Sequence, residues 1–206
     1  LPATAGTAYI ITARVADAAG NLGTASAPRS FVLVTTPPAT TAAITGVTDN
    51  SGIITSNVAA AGRTNDTTPT ITGTLSAALA AGETLRVFRG STLLGSATVN
   101  NTTKTWTYTP TLPATAGTAY IITARVADAA GNLGTASAPR SFVLDTTPPA
   151  TTAAITGVSD NVGILQGTVA AAGRSDDTTP TITGTLSAPL ATGETLRVFN
   201  GSSLLG

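Results

Sequence analysis

Apolar and polar residues alternate along most of this chain, in short runs separated by clusters of Gly, Pro, Asn and Asp. In the run TAYIITARV, residues 118–126, alternation places every second residue on one face: Tyr120, Ile122, Ala124 and Val126. A period of two predicts β-strands with one face in a core and the other facing solvent. Comparable runs lie near 42–47, 69–75, 84–88, 92–99, 105–109, 118–127 and 138–144.

The chain also repeats itself with a period of 111 residues. Residues 1–95 align without a gap on residues 112–206, and 82 of the 95 positions are identical. This period is too long for a helical solenoid and is typical of an independent domain. We therefore predict three parts: the C-terminal part of one repeat in 1–34, a complete repeat in 35–145, and the N-terminal part of the next in 146–206.

Strands of this number and spacing predict an all-β fold of tandem immunoglobulin-like antiparallel β-sandwiches, with about seven strands per repeat. In chain order the runs become strands A, B, C, C′ or D, E, F and G. We expect Trp106 and Phe142 in the core. Tyr120 is either a corner tyrosine or an ordinary core residue, and the sequence leaves both open.

Turn signals separate the predicted strands. The segments 89–92 and 99–104 predict hairpin turns, with positive φ at Asn100 and Asn101. The helix-like stretch 76–85 is expected to be a loop, because its copy carries Pro189 in the interior.

Composition excludes much chemistry. The chain has no Cys, no His and a formal net charge of zero, and only 10% of its residues are charged. Thiolate sites, the commonest general base and the usual zinc ligand are therefore missing, and we expect no enzyme activity. Scattered single basic residues predict no nucleic-acid binding, and the lack of a long apolar run predicts no direct membrane insertion.

Acidic residues form the candidate metal sites. All eight Asp residues are expected in loops or linkers, where Ca²⁺ could collect its six to eight oxygen ligands. The predicted topology places the AB loop, residues 48–67, beside the linker at one pole and the FG loop at the other, so that stacked repeats would share a calcium site. The candidate ligands are Asp49, Asn50, Asp66, Asp128, Asn132 and Asp145, with Asp17, Asp160 and Asp177 in the partial repeats. The alternative is that Asp and Asn only cap backbone amides in tight turns.

Several motifs resemble one family. The phrases GRTNDTTPTITGTL, AAGETLRVF, ARVADAAGN and LDTTPPA are similar to the bacterial Ig-like repeats in the long arms of giant type I secreted adhesins, the biofilm-associated and RTX group. This resemblance implies an extender at the bacterial cell surface, stiffened by calcium, that projects a distal binding domain. The alternative function is a carbohydrate- or protein-binding Ig-like module, which would need a cluster of exposed aromatic residues.

One difference between the copies changes a charge. SFVLVTTPPATT at 30–41 returns as SFVLDTTPPATT at 141–152, with Asp145 in place of Val34. We expect the first junction to bind calcium more weakly, because it has one carboxylate fewer. Pro37 and Pro38 should stiffen that linker without any metal.

The expected partners are neighbouring repeats of the same chain. The two partial repeats are complementary, because one supplies strands F and G and the other supplies strands A to C. We therefore expect one of two outcomes: head-to-tail self-association between molecules through these incomplete repeats, or completion of both halves by covalent neighbours in a longer chain.

Overall fold

A computed structural model describes residues 6–53 and 55–206, and every regular element in them is a β-strand. The predicted all-β fold is confirmed. No helix in these ranges is long and apolar enough to cross a membrane. Residues 1–5, in the predicted first segment, and residue 54, in the predicted AB loop, lie outside the described residues. The strands are β1 (Ala8–Ile11), β2 (Arg29–Val32), β3 (Ala42–Asp49), β4 (Ser56–Asn57), β5 (Arg63–Thr64), β6 (Thr70–Leu75), β7 (Thr84–Arg89), β8 (Thr92–Ser96), β9 (Thr98–Asn100), β10 (Thr105–Tyr108), β11 (Thr118–Ala127), β12 (Arg140–Leu144), β13 (Ala153–Asp160), β14 (Gly167–Thr168), β15 (Thr181–Leu186), β16 (Phe199–Asn200) and β17 (Ser203–Leu204).

The chain forms two compact units, Leu1–Thr146 and Thr147–Gly206. The first unit contains the β1–β2 hairpin, called the N-terminal hairpin below, and a sandwich in residues 42–144, called the central repeat. The second unit, residues 147–206, is called the C-terminal unit. The division into three repeat segments stays a prediction.

Two five-stranded sheets build the central repeat. One has the order β4-β3-β6-β10-β9 and the other the order β5-β12-β11-β7-β8. Neighbouring strands are antiparallel except β5 and β12, which are parallel. The alternating pattern of β11 is confirmed, because Tyr120, Ile122, Ala124 and Val126 are all buried between the sheets.

The largest core side chains are Trp106, Tyr120 and Phe142, and all three are buried. Trp106 lies over Gly73, where a Cβ atom would come within 2.3 Å of the indole Cε2 atom. Only glycine at that position lets the indole ring lie this close to β6. The indole Nε1 donates a hydrogen bond to the Thr74 carbonyl oxygen at 3.2 Å.

Tyr120 combines the two roles that its sequence left open. Its ring stacks on Phe142 with centroids 5.4 Å apart, and the Arg89 guanidinium lies 4.3 Å from the ring centroid. Its hydroxyl also lies 3.5 Å from the Pro113 carbonyl oxygen, upstream in the chain. The buried ring therefore stabilises the core mainly by packing, since this hydrogen bond is at the long limit for such contacts.

Two predicted elements differ from the structure. The single strand expected at 92–99 is two strands, because β8 pairs with β7 in one sheet and β9 pairs with β10 in the other. The chain therefore changes sheets at Ala97. The expected AB loop contains β4, which pairs with the end of β3, and β5, which pairs with β12 across the other sheet.

Turn conformations also differ in detail. Positive φ occurs at Lys104, with φ 56°, and not at Asn100 or Asn101. The Asn100 side-chain oxygen instead accepts hydrogen bonds from the backbone N–H groups of Thr102 and Thr103, so it stabilises the turn without adopting a left-handed backbone. The segment 76–83 is a loop, as predicted.

The C-terminal unit contains a three-stranded sheet of order β14-β13-β15 and the β16–β17 hairpin. β13 and β15 pair in the register that β3 and β6 show in the central repeat, including the irregularity at the corresponding glycine. The near-identical sequence therefore forms the same local sheet in both places.

Candidate functional site

A buried polar cluster lies where β3 and β5 end; we call Asp49, Thr64 and Asp66 the Thr64 cluster. The Thr64 hydroxyl donates a hydrogen bond to Asp49 Oδ2 at 2.7 Å and accepts one from the Asp66 backbone N–H at 3.1 Å. All three residues are buried. One hydroxyl group therefore joins two carboxylate residues that are 17 positions apart in the sequence.

The remaining carboxylate oxygens of the cluster accept hydrogen bonds from nearby turns. Asp49 Oδ1 accepts from the Ser51 N–H, and Asp66 Oδ2 accepts from the Asn50 N–H. Asp66 Oδ1 accepts from both the N–H and the hydroxyl of Thr68. These bonds fold the connection between β3 and β6, as expected for Asp residues that cap backbone amides. Asp49 is also the last residue of β3, so the prediction that every Asp lies in a loop is wrong for it and for its copy Asp160, which ends β13.

Asp145 begins the linker after the central repeat and lies beside the same cluster. Its Oδ2 atom is 2.9 Å from Arg63 Nη1 in an ion pair. Its backbone N–H donates to the Thr64 carbonyl oxygen at 2.8 Å. The start of the linker is therefore attached to β5 by one backbone bond and one partly exposed ion pair.

The C-terminal unit repeats this cluster with Ser175 in place of Thr64. The Ser175 hydroxyl donates to Asp160 Oδ2 at 2.7 Å and accepts from the Asp177 N–H at 3.1 Å. Hydrogen bonds, first from the Val162 N–H and then from the Ser175 hydroxyl, hold the pKa of Asp160 below its usual value. The same geometry with serine shows that the cluster depends on the hydroxyl and not on the threonine methyl group.

A second cluster of polar residues lies in the loop between β11 and β12. Asp128 Oδ1 accepts hydrogen bonds from the N–H groups of Ala130 and Asn132, and Asp128 Oδ2 accepts one from Asn132 Nδ2 at 2.8 Å. The Asn132 side chain is the main reason that the pKa of Asp128 is lowered. Asp17 and Asn21 form the same ring of bonds after β1, and the pKa of Asp17 is lowered for the same reason.

Asn132 also holds the linker that precedes the central repeat. Its Nδ2 atom donates a second hydrogen bond, 2.9 Å long, to the Val34 carbonyl oxygen. Nearby, a Cβ atom on Gly134 would lie 2.7 Å from the Pro38 carbonyl oxygen, so the loop and the linker are in close contact. The contact uses backbone atoms of the linker and does not involve the Val34 side chain.

The structure thus divides the predicted ligands into two groups. Asp49, Asn50, Asp66 and Asp145 come together around Thr64, whereas Asp128 and Asn132 lie at the other end of β11. Ten residues of strand separate the two ends by roughly 30 Å. In residues 6–53 and 55–206, no three acidic side chains converge to hold a metal ion. A calcium site of the predicted kind would therefore need ligands from two successive repeats, and it stays a prediction.

Sequence reasoning missed Thr64 and Arg63, which connect the first group. One signal in the sequence could have indicated Thr64: its copy is Ser175, so both repeats keep a hydroxyl group at this position. Arg63 and Asp145 are 82 positions apart, and no spacing rule connects them.

Comparisons with known proteins agree with this architecture. Residues 37–146 match the model of the bacterial Ig-like domain. Exoglucanase B of Cellulomonas fimi is 38% identical over 146 residues, which cover 69% of this chain and 12% of that protein. The chain thus corresponds to a small part of the length of this relative. Because the family match covers more than half of its residues, the chain belongs to the bacterial Ig-like domain family.

Proposed function

We propose that this chain is a structural extender, made of tandem Ig-like repeats that hold a distal binding domain away from the bacterial cell surface in adhesion or biofilm formation. The observation that carries this proposal is the attachment of each linker to a folded repeat. Asn132 binds the linker at Val34, and Arg63 binds the linker at Asp145. A spacer needs such contacts, because they limit the directions in which successive repeats can point.

The linker sequence supports the same role. Pro37 and Pro38 restrict φ and favour extended geometry in the residues before them. Three features therefore limit bending without any metal: the proline pair, the Asn132 bond to the preceding linker and the Arg63 pair with the following one.

Calcium would add a further constraint at the junctions. We propose that Asp49, Asp66 and Asp145 of one repeat, with the residues equivalent to Asp128 and Asn132 of the next, would hold it. Carboxylate and amide oxygens are the ligands that Ca²⁺ prefers, and a carboxylate oxygen that accepts one hydrogen bond keeps a second lone pair. At Asp145 the ion would compete with Arg63, so affinity at this junction should depend on that arginine.

The spacer role and its calcium component can be tested separately. Small-angle scattering of the 206-residue chain should show a narrow range of dimensions, and Asn132→Ala should broaden it. A parent chain that already behaves as freely jointed units would contradict the spacer role. For calcium, thermal unfolding of a longer array that contains both sides of a junction should differ between excess Ca²⁺ and chelator, since a ligand that binds only the folded state stabilises it.

Two variants at position 34 separate the effect of a carboxylate on calcium binding. They are Val34→Asp and the neutral Val34→Asn, each in a longer array that contains both sides of this junction. The Asp variant should bind calcium most tightly and bend least, whereas the Asn variant, which adds a neutral amide oxygen, should fall between the Asp variant and the parent. Identical calcium isotherms for the two variants would contradict the role of this position as a ligand.

A second function is an accessory carbohydrate-binding module, which the similarity to a protein named as an exoglucanase favours. Against it, three of the five aromatic side chains of the central repeat, Trp106, Tyr120 and Phe142, are buried and cannot stack on a sugar, and the other two, Phe88 and Tyr108, are half-buried. Retention of the chain on insoluble cellulose or on a glycan array would support this second function over the first.

A further inference from the structure

Two arginine side chains lie directly opposite each other on the outer face of the central repeat. Arg125 of β11 is the cross-strand partner of Arg86 of β7, and the residues on either side of each are buried, so both side chains point away from the core. We call these two residues the arginine pair. Like charges at opposed positions of neighbouring strands repel each other and destabilise a sheet. The stability of the fold therefore does not explain this arrangement.

No carboxylate of the protein neutralises the arginine pair. In the part of the chain that the structure describes, neither arginine forms an ion pair, whereas Arg63 does so with Asp145. Glu83 and Asp128, the acidic residues closest to the pair in sequence, accept hydrogen bonds from backbone N–H groups of their own turns. The chain as a whole has no net charge. An anion would therefore be attracted by this pair and not by the molecule in general.

The guanidinium groups are fixed at one end and open at the other. Arg125 Nε donates a hydrogen bond to the Gly134 carbonyl oxygen at 2.9 Å, and Arg86 Nε donates one to the Thr84 hydroxyl at 3.2 Å. The terminal Nη atoms make no hydrogen bond within the described residues, and they are not buried, so they face solvent. Such Nη donors match the two oxygens of a carboxylate.

Hydroxyl groups and a small apolar surface lie beside the pair. Ser96 is the partner of Arg86 on the other side of β7, and Thr123 is the partner of Phe88 in the next row of the sheet. Phe88 is half-buried, and Leu93, which also pairs with it, is 45% exposed. Sugars combine hydroxyl groups with apolar C–H faces, so a chain of sugar rings fits this open sheet surface.

The arginines recur with the period of the chain. Arg14, between the strands of the N-terminal hairpin, is the copy of Arg125, and Arg197, in the C-terminal unit, is the copy of Arg86. A polymer that carries a carboxylate on every unit can contact several repeats at once, and many weak contacts then add up to firm attachment. A repeating ligand therefore suits a repeating surface better than a single acidic protein segment does.

We propose that the arginine pair binds the carboxylate groups of an acidic polysaccharide, a polymer of uronic acid sugars. The Nη atoms of Arg86 and Arg125 hold the carboxylates, and Ser96 and Thr123 bind sugar hydroxyl groups beside them. Recognition depends on charge, because Phe88 exposes too little of its ring for stacking alone. The site adds sideways attachment to a surrounding polysaccharide, which the spacer role does not include.

Polygalacturonate and its methyl ester are matched probes, because the ester keeps the sugar chain and removes the charge. Binding of the 206-residue chain to each immobilised polymer can be measured by biolayer interferometry in chelator, which excludes effects of calcium at the junctions. We expect binding to polygalacturonate that weakens as salt concentration rises, and none to the ester. Polyglutamate and single-stranded DNA, which carry charge without this sugar chain, should bind more weakly.

Three variants locate the site. Arg86→Gln and Arg125→Gln should each weaken binding roughly tenfold, because each removes charge-assisted hydrogen bonds. Arg174→Gln is the matched control, since it removes the same charge from an exposed position in the C-terminal unit and should bind as the parent does. Arg86→Gln should also leave the unfolding midpoint, followed by Trp106 fluorescence, unchanged or higher, because repulsion within the pair is relieved. Loss of binding then cannot be attributed to loss of the fold.

Four results would overturn the proposal. They are a parent chain that does not bind polygalacturonate, equal binding of the methyl ester, binding of polyglutamate or DNA as tight as that of polygalacturonate, and an Arg86→Gln variant that binds as the parent does. None of them bears on the spacer role, which depends on the linkers around the central repeat.

Discussion

Replacing Thr64 by Val should destabilise the central repeat strongly, although the two side chains have nearly the same shape. The hydroxyl of Thr64 donates to Asp49 Oδ2 and accepts from the Asp66 N–H, and all three residues are buried. Valine replaces the hydroxyl by a methyl group. The carboxylate oxygen and the amide then lose a partner in a place where water cannot easily replace it.

The expected size of this effect follows from the two bonds. A hydrogen bond to a charged group contributes about 1.5–3 kcal/mol and a neutral one about 0.5–1.5 kcal/mol. Their loss should lower the free energy of unfolding by roughly 2–4 kcal/mol, a large part of the stability of a typical domain. For a domain of this size the unfolding midpoint should fall by roughly 10–20 °C.

The assay can report on the central repeat alone. Trp106 is the single tryptophan and lies in that core, so its fluorescence during thermal unfolding excludes signals from the other parts of the chain. Thr64→Ser is the matched control, because Ser175 makes the same two bonds at the same distances in the C-terminal unit. A Thr64→Val midpoint within a degree of the parent, or a Thr64→Ser midpoint as low as that of Thr64→Val, would refute the reasoning.

Three further predictions follow from other contacts. Gly73→Ala should destabilise the central repeat by roughly 3 kcal/mol, because its Cβ would lie 2.1 Å from a backbone oxygen and 2.3 Å from the indole ring; near-ultraviolet circular dichroism should record the disturbed tryptophan. Asn132→Ala should raise the pKa of Asp128 toward 3.8 in a carboxyl NMR titration, because the asparagine bond is what lowers it most. Because the folded-state pKa of Asp128 is depressed, the asparagine bond stabilises the folded repeat above about pH 4, and this stabilisation is lost as the pH falls through the folded-state pKa. The free energy of unfolding of Asn132→Ala should therefore change less with acid pH than that of the parent. Arg63→Ala should change the unfolding free energy by less than about 1 kcal/mol, because the pair with Asp145 is partly exposed, but it should widen the range of repeat orientations seen by single-molecule energy transfer.

Alternation was sufficient to predict the longer strands of the central repeat, although not β4 and β5, because the core side chains are large and regularly spaced. In β11 every second residue is buried, and Trp106 and Phe142 lie in the core as expected. The same pattern could not show which sheet a strand joins. β8 and β9 read as one run, yet Ala97 separates strands that belong to different sheets, because both sheets require the same period of two.

The candidate site was predictable only in its residue types. Asp49, Asp66 and Asp128 were identified because acidic residues between strands are rare and noticeable in a chain with little charge. Their partners Thr64 and Arg63 could not be identified in the same way. Thr64 resembles every other strand threonine, and Arg63 contacts Asp145 only because β5 pairs with β12 in the second sheet. Long-range hydrogen bonds of this kind depend on the fold and leave no periodic trace in the sequence.

The parallel pairing of β5 with β12 has a mechanical consequence for a module under tension. A pull on the C-terminal linker acts first on β12, the last strand of the repeat, and draws it along its length past β5, which the chain holds between β3 on one side and β6 on the other. Three backbone bonds connect these segments, from Ala61 N–H to Ser141, from Val143 N–H to Gly62 and from Asp145 N–H to Thr64. Shear loads all three at once, whereas a hairpin pulled from its open end would break its bonds one after another. The short strand that crosses between the sheets therefore makes the repeat resist stretching at the point where force leaves it.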